Sequence, residues 1–138
     1  RLSREEEGIR QRTRGTGNTY VYNNGTITDR RTGLIWCAFD SYIDMQKCLR
    51  YESATRYVKR IRYGGYSDWR LPSEEQLRSI YKKKPFFPTA SDGKWYWSSN
   101  QGGGQMVPIV TTERETKWRM TRIEAAIGCG SIRAVRGP

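Results

Sequence analysis

Histidine is absent from this 138-residue chain, which removes the commonest general base and the commonest metal ligand together. Three cysteines, none in a Cys-x-x-Cys arrangement, cannot complete a four-ligand zinc site by themselves. No apolar run approaches the roughly 18–20 residues that span a bilayer. Phe is scarce, with three copies against five Trp and nine Tyr, and Leu is sparse too. The interior must therefore be filled largely by Trp and Tyr, whose apolar bodies carry polar tips that also suit binding faces.

Acidic residues are the minority charge. Against 25 Lys and Arg stand 14 Asp and Glu, a formal net charge of +11. That excess favours polyanionic partners: acidic glycans, an anionic cell surface or nucleic acid. It is unevenly spread. Residues 20–48 hold three bases and three acids, whereas residues 49–84 hold ten bases and four acids.

Catalytic constellations are missing as well. Ser98-Ser99 has no histidine to activate it, and the acids are scattered. Gly15-Thr16-Gly17 follows no strand and opens no helix, so it is no nucleotide fingerprint. The expectation is a protein without enzyme activity, catalytic residues, cofactor or bound metal.

Length fits one domain with a real core. The polar, charged stretch 1–18 has few apolar residues to offset ordering entropy, and reads as a flexible basic arm or linker that orders only against a partner or the domain body. Residues 19–138 read as the folded domain. The chain starts at Arg1, which reads as a processed or excised form. Tyr20–Tyr22 and Thr26–Thr28 flank Asn23-Asn24-Gly25 as a β-hairpin, and Leu34–Trp36 follows the turn Arg31-Thr32-Gly33 as a short strand.

Ala54, Tyr57, Val58 and Ile61 share one stripe of a helix expected over Tyr51–Arg62, ended by Gly64-Gly65. Ser73-Glu74-Glu75-Gln76 is a capping box opening a second helix, buried through Leu77, Ile80 and Tyr81 and closed by Pro85. Trp95–Ser98, Met106–Val110, Thr116–Met120 and Ser131–Val135 read as strands. The sum is α+β, with two helices packed on a small, twisted antiparallel sheet.

Cys37 and Cys48 are separated by ten residues, a natural span for a local disulfide contributing on the order of 2–3 kcal/mol. With three cysteines, pairings of 37 or 48 with 129 stay open, as does the fully reduced state.

Four blocks occur in order: Gly25–Trp36 (GTITDRRTGLIW), Gly64–Ser73 (GGYSDWRLPS), Tyr96–Ser99 (YWSS) and Ile132–Gly137 (IRAVRG). In these the chain resembles the family typified by the C-terminal domain of the Legionella collagen-like adhesin, over roughly residues 20–138. The resemblance implies a C-type-lectin-like fold and an extracellular recognition role. In the adhesin it implies a trimer that binds sulfated glycosaminoglycans. Many relatives carry a cysteine in the first helix and another in the terminal strand, at positions matching Val58 and Ala134 here. The calcium-binding motifs of sugar-binding C-type lectins are absent.

The Gly64–Pro72 block has a structural explanation. Tyr66 and Trp69 would plug the core between the helices, Asp68 would bond local amides, and Arg70 would meet a carboxylate or carbonyl. Trp36 and Trp97 join this motif set. Recognition is expected instead in the late region 106–130, through Arg114, Lys117, Trp118, Arg119 and Arg122, assisted by Lys82, Lys83 and Lys84. Guanidinium forks match sulfate and carboxylate, and an indole stacks on a sugar face.

The expected role is a secreted or cell-surface adhesion module, with a periplasmic location as a variant, binding an anionic glycan or a surface protein. The alternative is a structural subunit of a surface or filament assembly, through a homo-trimer or partner chains. Nucleic-acid binding ranks below both, because no nucleic-acid module is present.

Overall fold

The hairpin sets the frame. In the computed structural model, which describes residues 2–81, 95–99, 105–108 and 129–138, strands β1 (Tyr20–Asn23) and β2 (Thr26–Asp29) pair antiparallel with Asn23 opposite Thr26. Only Asn24 and Gly25 remain for the turn, both at positive φ (49° and 82°). This is the type I′ geometry that Asn-Gly adopts with least strain. β3 (Ile35–Cys37) adds to β2, and β6 (Val135–Arg136), from the far end of the chain, adds to β3. The sheet order is β1-β2-β3-β6. β4 (Trp95–Ser98) and β5 (Gln105–Pro108) form a separate antiparallel pair, tied back by a parallel bridge from Tyr96 to Ser131.

Alternation along β3 divides the core. Successive side chains point to opposite faces of a strand. Trp36 packs with Ile9, Ile27, Leu77, Ile80 and Tyr96 on one side. Ile35 and Cys37 face Ala54, Tyr57, Val58, Trp69 and Trp97 on the other. Val58 and Ala134 both lie in this second cluster, held by apolar packing.

The expected α+β class with a small antiparallel sheet holds, but four α-helices stand among the described residues rather than two. α3 (Tyr51–Arg60) and α4 (Glu74–Tyr81) are the expected pair. α3 stops two residues early because Ile61 turns extended (ψ 150°) and goes into the core. The glycine pair lies in a following 3-10 turn, Tyr63–Gly65. The capping box of α4 closes both ways: Gln76 N–H donates to Ser73 Oγ at 3.1 Å, and Ser73 N–H donates to Gln76 Oε1 at 3.0 Å.

α2 (Ser41–Met45) is one turn, N-capped by buried Asp40, whose Oδ1 accepts from Ile43 N–H at 2.8 Å. α1 (Leu2–Arg14) is the form in which the basic arm orders against the domain body. Ile9 is fully buried in the first cluster, and Tyr20 and Tyr22 pack against that cluster. The apolar surface α1 needs comes from the hairpin, not from its own sequence. Glu6 pairs with Arg10 and Glu7 with Gln11, each one helical turn apart, and such pairs add a few tenths of a kcal/mol each.

The disulfide is not the local Cys37–Cys48 bridge that the spacing suggests but one of the pairings left open. Cys48 bonds to Cys129, 81 residues away with Cα atoms 5.4 Å apart, and Cys37 is free and buried. The cause is local. Leu49 and Gly130 exchange backbone hydrogen bonds in both directions, at 2.7 and 2.9 Å, which sets Cys48 against Cys129. The thiol of Cys37 points into the second core, and burial pushes its pKa well above the ordinary thiol range.

Candidate functional site

The residues expected to meet a ligand, Lys82, Lys83, Lys84, Arg114, Lys117, Trp118, Arg119 and Arg122, all lie outside the described residues, as do the strand expected at 116–120 and the glycine loop at 102–104. The structure describes the frame that flanks them in sequence. Trp97 is fully buried, donates its indole N–H to Leu49 carbonyl at 2.7 Å, and packs edge-on against Tyr51. Ser99 N–H donates to Pro72 carbonyl, and Trp97 N–H to Ser131 carbonyl.

Beneath this frame, two charges are wholly buried. Arg133 Nη1 donates to the carbonyls of Cys37 (3.1 Å) and Ala38 (2.6 Å), and Nη2 approaches Tyr96 Oη at 3.5 Å. Tyr96 in turn donates to Asp40 Oδ2 at 2.6 Å. A buried cation and anion are thus joined through a tyrosine hydroxyl, and each finds the partners that make burial of charge tolerable.

The motif residues hold the last strand. Trp36 and Trp69 are buried, and Tyr66 stands half-buried, edge-on to Trp69 with ring centroids 6.0 Å apart. Arg70 exchanges backbone hydrogen bonds with Val135, and its guanidinium reaches Gln76 Oε1 and Gly137 carbonyl, both at 3.4 Å. Asp68 departs from the expectation of local amide bonding. Its carboxylate takes a two-pronged bond from Arg136 (2.7 and 3.1 Å), and that guanidinium lies 3.9 Å above the Tyr66 ring. The Arg136 hydrogen bonds lower the Asp68 pKa.

A feature the sequence reading missed lies beside this motif. A cleft of about 540 Å³ opens where α1, the β1–β2 turn, α2 and the 3-10 turn meet. Its walls include Glu6, Asp44 and Arg62, the rings of Phe39 and Tyr63, and the backbone of Gly25, Gly64 and Gly65. Asp44 accepts from Tyr57 Oη at 2.9 Å, and Glu6 accepts from Tyr22 Oη at 2.5 Å. Burial first, and neighbouring Asp44 next, push the Tyr63 hydroxyl pKa upward. Burial and the bond to Glu6 push Tyr22 up to about 12. The signal that could have pointed here was the recurrence of Asn24-Gly25 and Gly64-Gly65. Two positive-φ turns face one another, with a Cβ on Gly25 meeting Tyr63 Cδ1 at 3.1 Å.

A smaller groove of about 220 Å³ runs between α1 and β1, lined by Arg10, Arg14, Tyr20 and Tyr22 among others. Arg10 lies 5.1 Å from the Tyr22 ring centroid, and Arg31 lies 5.6 Å from that of Tyr20.

Among the described residues no helix is long and apolar enough to cross a membrane. A family model described as the Lcl C-terminal domain matches residues 25–132. No curated protein and no solved structure matches the chain.

Proposed function

The chain belongs to the Lcl C-terminal domain family, and on that premise we propose that it is a surface-associated, C-type-lectin-like recognition domain, without catalytic activity, that binds an anionic glycan or an acidic surface protein. Membership points to a surface-associated domain. The lectin-like reading is supported by a small antiparallel sheet in which the hairpin β1–β2 and the terminal strand β6 share one frame.

The observation that carries the ligand class is the charge. A domain with net charge +11 attracts polyanions and speeds their encounter. Within it, Arg114, Lys117, Arg119 and Arg122 cluster around Trp118 in nine residues of sequence. Arginine forks bind sulfate or carboxylate in pairs of hydrogen bonds, and an indole face covers the apolar side of a sugar ring. Lys82, Lys83 and Lys84 add point charges. The exposed arginines beside Tyr20 and Tyr22 extend the basic surface at the amino-terminal end of the fold.

Retention on a heparin column tests this reading. Charge reversal at 114, 117, 119 and 122 together should move elution to markedly lower salt. Elution at the same salt as the parent removes this cluster as the binding site.

A further inference from the structure

The disulfide and the free thiol stand in opposite surroundings. Cys37 is buried, whereas Cys129 is exposed and Cys48 half-buried. Glycines at 128 and 130 flank Cys129 in the sequence, so neither chain neighbour carries a side chain to shield its sulfur. Beneath the bridge the backbone is fixed by contacts that do not involve sulfur. Leu49 and Gly130 are both buried and exchange hydrogen bonds, and the Leu49 carbonyl also accepts the Trp97 indole N–H.

The charge around this bridge is positive. Lys47 and Arg50 lie on either side of Cys48 and are exposed. Neither is ion-paired among the described residues, whereas Arg10, Arg31, Arg78 and Arg136 each meet a carboxylate. Residues 45–51 contain no acid. The Leu49–Gly130 bridge is antiparallel, which directs Arg50, one residue on, toward Cys129, one residue back. In thiol–disulfide exchange a thiolate attacks an accessible sulfur, and the other sulfur departs faster where neighbouring cations stabilise its thiolate. Exposed disulfides are accordingly the labile ones.

We propose that Cys48–Cys129 is a thiol-exchange site for small thiols that carry a carboxylate, with Cys129 as the sulfur attacked and Lys47 and Arg50 as the cations that draw the carboxylate in. The incoming thiolate forms a new S–S bond to Cys129 Sγ. The Cys48–Cys129 bond breaks, its electron pair goes to Cys48, and Cys48 departs as a thiolate beside Lys47 and Arg50. The products are one mixed disulfide at Cys129 and one thiolate at Cys48, with no further oxidant or reductant consumed. The reverse attack by Cys48 expels the small thiol and restores the bridge. The hydrogen bonds between Leu49 and Gly130 keep the two cysteines within reach for that step. This inference stands independently of the proposed anionic ligand, whose residues are elsewhere in the sequence.

The test treats the disulfide-bonded full chain with 3-mercaptopropionate, 2-mercaptoethanol and cysteamine at equal thiolate concentration, followed by a pulse of iodoacetamide and peptide mass mapping. The expected product carries the small thiol on Cys129 and the alkyl label on Cys48, while Cys37 stays unlabelled and so reports a folded chain. The acidic thiol should react roughly three-fold or more faster than the neutral one, the scale of one or two exposed ion pairs, and the cationic thiol slowest. Lys47→Gln combined with Arg50→Gln should bring the ratio of acidic to neutral rates toward one, as should added salt, which screens exposed charges. Labelling of Cys37 in step with the adduct, an adduct on Cys48 in place of Cys129, or a rate ratio unchanged in the double variant overturns the inference.

Discussion

The hydroxyl of Tyr96 donates to the carboxylate of Asp40 at 2.6 Å across 56 residues of sequence. Both residues are almost wholly inaccessible, at 1 % and 0 %. Asp40 simultaneously caps α2, and Tyr96 lies beside Arg133, so one hydroxyl links the strand β4, the short helix and the terminal segment.

Tyr96→Phe preserves the ring and removes that link. The buried carboxylate loses a partner, and such a loss costs about 1–3 kcal/mol. Urea denaturation should show a lower midpoint with an unchanged slope, because the buried surface is the same.

Reduction should destabilise the fold through Cys48–Cys129 alone. In the chain-entropy account a loop of this length contributes about 4.5 kcal/mol. Cys48→Ser should therefore lower the melting temperature steeply, and Cys37→Ala should leave the bridge intact. Non-reducing peptide mapping should recover the 48–129 pair, and Cys37 should resist alkylation until the protein unfolds.

Alkaline stability follows the tyrosines. The folded pKa of Tyr22 stands at about 12, raised by burial and then by Glu6, against an ordinary 10.0. Tyr20, Tyr57 and Tyr63 are raised too, by burial first. A raised folded pKa gives stability that is complete below pH 10 and is lost as pH climbs through the folded value. Unfolding free energy should thus decline from about pH 10 upward. Ultraviolet titration of Glu6→Gln should bring one tyrosine back toward its ordinary range.

Gly64 and Gly65 should respond unequally to alanine. Both sit at positive φ, 67° and 83°, which costs a residue with a Cβ roughly 1–2 kcal/mol. At Gly64 that Cβ would also lie 2.7 Å from Thr26 Cγ2, whereas at Gly65 it meets nothing within 4 Å. Gly64→Ala should therefore be clearly the more destabilising of the two in the same urea experiment.

Local chemistry was legible in the sequence; long-range pairing was not. Asn24-Gly25 and the Ser73–Gln76 box form as read, because each motif satisfies its own backbone groups within four residues. The stripe Ala54, Tyr57, Val58 and Ile61 is buried for the same reason of periodicity. The cysteine pairing stayed open because sequence distance carries no information about the Leu49–Gly130 contact. α1 was invisible because Ile9 is buried partly by tyrosines of a different element. The cleft was invisible because Glu6, Asp44 and Tyr63 meet only in three dimensions. The basic residues at 82–84 and 114–122 lie outside the described residues, so sequence alone assigns them.

The central claim is that this domain recognises an anionic ligand through the basic cluster around Trp118. The most direct measurement is calorimetric titration with a heparin octasaccharide and its fully desulfated counterpart, for the parent and for the Arg114→Ala, Lys117→Ala, Arg119→Ala, Arg122→Ala variant. The account predicts binding of the sulfated sugar by the parent, a loss of roughly ten-fold or more in the variant at matched salt, and little affinity for the desulfated sugar in either. Equal affinity of parent and variant for the sulfated octasaccharide would contradict it.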